Sequence, residues 1–426
     1  MKRIAIAGFG KIGQALAANM LRHTDEVVIN AIDNNAQLVA AFEDGSWDTG
    51  EPGVKEILQE ALQKSRLSVS SSYQCVADCA AVIVAIPLLV GKSYELLDQD
   101  FKNCIREIAS LVQHKCTIIM ETSVPVGYCR QQILPVLEEQ GKEHGRDFWL
   151  AYSPERIKSG SMLLQLTAIP KIIGGISREA GEAAMKLYAP FFPSAEVVLT
   201  ESAEAAEMVK LAGMIYRDVN IALSNQLAIY SGAAGLPFTD LISLVNTDRE
   251  ANLLYPGIGV GGHCTPVYPY FLIENFRQQG LDFSLAKLGR EINRDMPAYA
   301  VSLVKDRLRR KKALILGLGF RPDVKEDTLS VTYSLAALLA QEGIQVAVHD
   351  TVFSPAEIQA KGLAPVADIY SSDAEVIFLV TMHSQYRDID FRKLKQQGVE
   401  YMVDGRNSLD RHQAEAAGLT VFGIGS

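Results

Sequence analysis

The chain is 426 residues long, more than one hydrophobic core normally organises, so two or three domains are expected. With 48% hydrophobic and 21% charged residues it has the composition of an ordinary soluble globular protein and no mark of disorder. A net charge of −9 argues against nonspecific nucleic-acid binding, while leaving room for a local basic pocket that takes phosphates.

In chain order, residues 3–8 read as a fully buried strand and residues 14–21 as the helix behind it. Lys2-Arg3 and the apolar run after them could pass for a secretory leader. The run is too short, and Gly8, Gly10, Lys11 and Gly13 interrupt it. Further apolar runs at 26–32, 81–86, 117–120, 148–151 and 171–173 alternate with helical patterns, which predicts a parallel α/β sheet. The longest apolar run, 80–90, contains Pro87 and falls short of a membrane span, so a cytoplasmic protein without a membrane partner is expected. From 202 to about 235 the pattern becomes one long helix, apolar on most faces and interrupted by Gly213. Such a helix needs more than one neighbour and belongs between domains or at a subunit interface. A second αβ set follows, with strands at 313–318, 345–349, 376–381 and 401–403 and a helix at 333–341.

Three features carry chemistry. Gly8-Phe-Gly10-Lys-Ile-Gly13 follows a predicted strand and opens a predicted helix, and Asp33 ends the second strand twenty residues after Gly13. This is a dinucleotide fingerprint: the glycines provide a tight turn, close approach to a pyrophosphate and helix–strand packing, and Asp33 would take the ribose hydroxyls of NAD and repel a 2′-phosphate. Gly317-Leu-Gly319-Phe-Arg321 is a weaker second glycine group, either a further nucleotide site or a tight turn. Gly257-Ile-Gly-Val-Gly-Gly-His263-Cys264-Thr-Pro266 holds one cysteine on a glycine-rich loop. A thiol there suggests covalent chemistry, although buried cysteines also serve as small hydrophobes. The six cysteines do not form a disulfide framework; Cys75 and Cys79 have the spacing of half a metal site, but no second pair follows and no metal is expected.

With these blocks stand Glu51-Pro-Gly53, Ser123-Val-Pro-Val-Gly127, Tyr152-Ser-Pro-Glu155-Arg-Ile, Ala206-Glu-Met-Val-Lys210-Leu-Ala, Tyr216-Arg-Asp-Val-Asn220 and Gly319-Phe-Arg321-Pro-Asp323. In that order, over nearly the whole length, the chain resembles the nucleotide-sugar 6-dehydrogenases, the group of UDP-glucose, GDP-mannose and UDP-N-acetylhexosamine dehydrogenases. The resemblance implies an α/β fold of two Rossmann-like domains joined by a long central helix and a helical dimerisation domain. The parts are an NAD-binding domain at 1–200, a central dimerisation and catalytic domain at 201–300 and a UDP-binding domain at 301–426. It implies NAD as cofactor, a UDP-sugar as substrate, a homodimer through the central helix, and oxidation of the sugar C6 alcohol to a uronate for polysaccharide synthesis.

Carried onto this sequence, Cys264 is the nucleophile that forms a thioester, and Lys210 donates to the developing oxyanion. Glu155 contacts the cofactor and assists hydrolysis; a capping or salt-bridged Glu155 is the structural alternative, as a snorkelling stem is for Lys210. Ser123 lies near the nicotinamide. Arg249 reaches a neighbouring subunit's substrate site, Arg321 replaces a lysine, and Arg217, Tyr255 and Gly261 complete the substrate set with Lys210. His263 is expected to point away from its neighbour Cys264, as adjacent side chains of an extended loop do. The chain departs from the family at Met214, usually an asparagine donor, at Tyr268, usually an aspartate, and at Thr328, often an arginine. The loop around Ser159 lacks a second glutamate, which brings it nearer the N-acetylhexosamine branch. Losing an oxyanion donor costs on the order of 10²–10³ in rate, unless Tyr268 or Arg217 compensates. A two-electron oxidoreductase stopping at aldehyde or ketone, and a non-catalytic nucleotide-sugar-binding protein, are the alternatives.

Overall fold

The structure is a computed structural model that describes residues 1–91, 94–113 and 115–425. The chain divides into two compact units, Met1–Ala212 and Gly213–Ser426.

The first unit is built on an eight-stranded sheet of β1 (Lys2–Ala7), β2 (Val27–Ile32), β3 (Leu67–Ser70), β4 (Ala81–Val84), β5 (Cys116–Met120), β6 (Phe148–Tyr152), β7 (Lys171–Gly175) and β8 (Val197–Leu199). In space the order is β8-β7-β6-β5-β4-β1-β2-β3. At the centre Ile4 pairs in register with Ile29 on one side and Ala81 on the other. Alternation sends Ile4 and Ile6 into the core on one face and Ala5 and Ala7 into the core on the other, so the strand has no polar face. Helix α1 (Lys11–His23) follows β1, and α2 (Arg178–Tyr188) packs on the sheet between β7 and β8.

The expectation of a parallel sheet holds through β6 but not beyond it. β7 pairs with β6 antiparallel, Ala151 opposite Gly175, and β8 then runs parallel to β7. The segment between Tyr152 and Lys171 holds only the short helix Met162–Ala168 and returns to the sheet from the end at which β6 finished. An antiparallel neighbour needs no crossover from one end of the sheet to the other.

Helix α3 (Ala203–Ala234) is 32 residues and so about 48 Å long at 1.5 Å per residue. In the second unit α4 (Tyr268–Gln278), α5 (Ser284–Ser302) and α6 (Val331–Gln341) accompany a five-stranded parallel sheet. Its strands are β9 (Lys312–Leu316), β10 (Gln345–His349), β11 (Val376–Leu379), β12 (Tyr401–Asp404) and β13 (Thr420–Gly423), in the order β10-β9-β11-β12-β13. Ile315, Phe378 and Val403 face one core, and Leu314, Leu316, Leu379 and Met402 the other.

The two sheets begin with the same local device. Gly8, at φ +90°, donates to Ile32 O at 2.8 Å, and Gly317, at φ +99°, donates to His349 O at 2.9 Å. Asp33 then accepts the Phe9 N–H at 2.7 Å, and Asp350 the Leu318 N–H at 2.6 Å.

Candidate active site

At the first of these turns each glycine has its own reason. A Cβ on Gly8 would lie 2.7 Å from the backbone of Ala85 and Ile86, and one on Gly13 would lie 2.2 Å from Gly8 O. Those two glycines answer to the protein itself. Gly10 has no atom within 4 Å of where its Cβ would stand, so its small size serves something outside the fold. It is also the N-cap of α1 and has no side chain to cap the helix, which leaves the end of the helix to an anion. Asp33 stands beside it, with Oδ1 accepting Asn35 N–H and Oδ2 accepting Phe9 N–H. A dinucleotide with a pyrophosphate at Gly10 and ribose hydroxyls at Asp33 fits these residues.

Beyond the strand ends lies a buried charged cluster that the sequence reading does not contain. Lys171, the first residue of β7, sits between Glu121 at 2.8 Å and Glu155 at 3.1 Å, and Tyr188 of α2 donates to Glu121 at 2.6 Å. All four side chains are buried. Burial pushes the Glu121 carboxyl above the usual carboxylate range, against the pull of Lys171. Burial alone would lower Lys171, but its two carboxylates outweigh that and hold the ammonium above the usual lysine range. The other carboxylate oxygen of Glu155 accepts the N–H groups of Arg156 and Ile157. Its main-chain carbonyl accepts a hydrogen bond from Lys210 of α3. Glu155 and Lys210 are thus brought together through the backbone, and the carboxylate of Glu155 is salt-bridged.

One turn before Lys210, buried Glu207 accepts the N–H groups of Gly127 at 2.6 Å and Cys129 at 3.0 Å. This ties the far end of the Ser123–Gly127 loop to α3; Ser123 itself is half-buried. Burial pushes the Glu207 carboxyl up to about 7, although both N–H donors pull the other way.

In the second unit the glycine loop is held from α3 and α5. Asn225 Oδ1 accepts the Gly257 N–H at 2.9 Å, Asn225 donates to Asn293, and Asn293 and Arg290 donate to Asp218. Asp218 adjoins Arg217, so the same helix turn that fixes the loop carries a guanidinium toward Cys264. The glycines of this loop make room for protein rather than facing open space. A Cβ on Gly261 would come within 2.9 Å of the Phe320 Cβ, and one on Gly262, at φ +99°, within 2.9 Å of the Phe320 ring. Gly261, expected to touch substrate, is therefore also demanded by Phe320. The turn at Gly262 has a second result: the chain is not extended there, and His263 hydrogen-bonds with Cys264 instead of pointing away. That bond raises the His263 pKa. Cys264 Sγ also lies 3.6 Å from the Tyr268 hydroxyl.

Arg217 is lowered first by burial and then by Arg321, while Cys264 favours its charge. Arg406, likewise lowered by burial, feels Arg217 in turn. Three guanidinium groups therefore share one region beside the cysteine, and Arg406 lines a cleft with Ile258, Gly259, Gly261, Phe320 and Thr381. Such a concentration of positive charge suits an anion. Arg406 was legible in principle, since Asp404-Gly405-Arg406 follows the end of a parallel strand, where ligands of open α/β sheets bind. Arg249 and Tyr255 are exposed and are not drawn into this group. Met214 is half-buried one turn after Lys210, and Thr328 meets the loop through its carbonyl, which accepts the Gly262 N–H at 2.9 Å. Among the described residues no group of His, Cys, Asp and Glu is arranged to hold a metal ion.

The chain matches the UDP-glucose/GDP-mannose dehydrogenase family in all three of its parts: the NAD binding domain over residues 2–192, the central domain over 204–295 and the UDP binding domain over 314–411. It belongs to that family. It is thus an NAD-dependent oxidoreductase of nucleotide sugars, with the two Rossmann-like domains that its motifs imply. Among its relatives, the UDP-N-acetyl-D-mannosamine dehydrogenase of Pyrococcus horikoshii is 28% identical over 99% of both chains. The NDP-N-acetyl-D-galactosaminuronic acid dehydrogenase of Ralstonia nicotianae is 28% identical, covering 93% of this chain and 95% of its own. The solved structure of the UDP-D-ManNAc dehydrogenase from Pyrococcus horikoshii superimposes with a TM-score of 0.88 at 26% identity, covering 99% of each chain. These family members agree with the nearness to the N-acetylhexosamine branch read at Ser159.

Proposed function

We propose that this enzyme oxidises the C6 alcohol of a UDP-N-acetylhexosamine to the uronate through a thioester on Cys264, for surface polysaccharide synthesis. The observation that carries this reading is the cysteine itself, held on a braced loop beside Arg217, Arg321 and Arg406. A diphosphate bound by those arginines would bring the sugar end of the substrate to the thiol.

NAD held at Gly8, Gly10, Gly13 and Asp33, with Ser123 near its nicotinamide, supplies an acceptor for hydride. The protein supplies the rest. The Cys264 thiolate adds to the carbon of the C6 aldehyde, and the carbonyl π pair becomes an alkoxide that Lys210 stabilises. Once that carbon is at the acid level, water adds, the thiolate leaves, and a carboxylate and two protons are released. Glu155 contributes through its carbonyl, which steadies Lys210, and through its place beside the cofactor. Tyr255 and Gly261 line the sugar end, and Arg217 and Arg321 the diphosphate.

The functional parts are the NAD-binding residues 1–200, the central residues 201–300 and the UDP-binding residues 301–426. A homodimer through α3 is supported by a stripe of exposed apolar residues on one face of that helix: Met208, Tyr216, Leu223, Leu227 and Tyr230. Exposed Arg249 is then free to serve the partner copy's site. No described helix is long and apolar enough to cross a membrane, in keeping with a cytoplasmic enzyme. The assay is NADH formation from a panel of UDP-sugars. Two NADH per sugar with a uronate product supports the reading. One NADH with an aldehyde product supports the two-electron alternative, which Met214, unable to donate a hydrogen bond beside Lys210, keeps in view.

A further inference from the structure

We infer that Tyr268 is a catalytic residue that sets the ionisation of Cys264, its phenol donating a hydrogen bond to the thiolate. This rests on the reading of Cys264 as nucleophile and adds to it a partner on the same loop.

The geometry is local and fixed. Tyr268 N–H donates to Cys264 O at 2.9 Å, so the two residues stand one helical turn apart at the start of α4. Residues four apart on a turn share a face, and the hydroxyl accordingly reaches Sγ at 3.6 Å, within hydrogen-bonding range for sulfur. The ring is half-buried and leans on Phe271 at 5.4 Å between centroids, which limits its freedom to turn away. In the neutral pair the thiol donates to the phenol oxygen. When the thiol loses its proton the same pair works in reverse, with the phenol as donor. Groups about the thiol in this unit include His263, bonded to it, and Arg217, whose charge favours the thiolate. Arg217 supplies positive charge. Tyr268 supplies a directed donor, and hydrogen bonds to a charged acceptor are the stronger kind.

The test is the pH dependence of iodoacetamide alkylation of Cys264 in the full-length protein, followed on the Cys264 peptide by mass spectrometry, without sugar or NAD. Tyr268→Phe keeps the ring against Phe271 and removes only the hydroxyl; its melting temperature is compared with that of the parent. The expected result is a profile moved to higher pH by roughly one unit, hence about tenfold slower alkylation on its acid limb. Tyr270→Phe, two residues on, should leave the profile in place. An unmoved profile in Tyr268→Phe, or one moved to lower pH, would overturn the inference. Because no turnover is involved, this outcome is separate from the fate of the thioester mechanism, which is read from NADH yield in Cys264→Ala.

Discussion

Lys210 donates its hydrogen bond to the main-chain carbonyl of Glu155 and not to the Glu155 carboxylate. An ammonium in an apolar helix needs a partner, and here the backbone supplies one. Lys210 is oriented by that bond, while the Glu155 carboxylate pairs with Lys171. Lys210→Ala should lower kcat by about 10²–10³, whereas Glu155→Gln, which keeps the carbonyl, should cost less than Lys210→Ala. Steady-state NADH kinetics of the two variants make the comparison, and an equal loss in both would contradict it.

The cluster behind Glu155 is a stability element. Lys171→Met leaves Glu121 and Glu155 buried without their cation, and breaking a buried pair from one side costs about 3–5 kcal/mol. A marked fall in the denaturant midpoint is expected. Lys171→Arg, which retains the charge, should recover part of it.

Glu207 gives the fold a pH dependence. Its folded pKa of about 7 lies above the 4.5 of a free glutamate, because burial disfavours the charged form. The folded state therefore holds the proton more tightly than the unfolded chain does. The stabilisation is full below 4.5 and is lost as pH rises through 7. Melting temperatures measured across that window should decline with pH in the parent, and Glu207→Gln should remove this component of the slope.

Arg406 should matter to nucleotide binding more than to folding. Its Nε donates to Val380 O at 3.2 Å, and its guanidinium feels the charge of Arg217, which in turn feels Arg321. Removing one of three like charges relieves repulsion while weakening the anion site. Arg406→Ala should bind UDP about tenfold or more weakly by calorimetry and should unfold at a temperature close to that of the parent.

Much of this architecture was legible in the residues. The glycine fingerprint with Asp33, the central strands and the long helix carry local signals, because each depends on neighbours in sequence. The reversal at β7 was not legible, since the apolar run at 171–173 looks the same in either direction and the short return after Glu155 decides between them. β3 and β8 are edge strands of four and three residues, too short to show an alternation. Lys171 reads as a solvated strand end, because its partners Glu121 and Glu155 lie 50 and 16 residues away. Gly261 reads as a substrate contact, yet it and Gly262 are both required by the Phe320 side chain. The bend they allow is what brings His263 to the cysteine.

The thioester on Cys264 is the central claim, and the NADH yield per sugar tests it most directly. With a UDP-N-acetylhexosamine limiting and NAD in excess, the parent enzyme should release two NADH for each sugar consumed and leave a uronate. Cys264→Ala should release none in steady turnover. Sustained production of two NADH per sugar by Cys264→Ala would contradict the account.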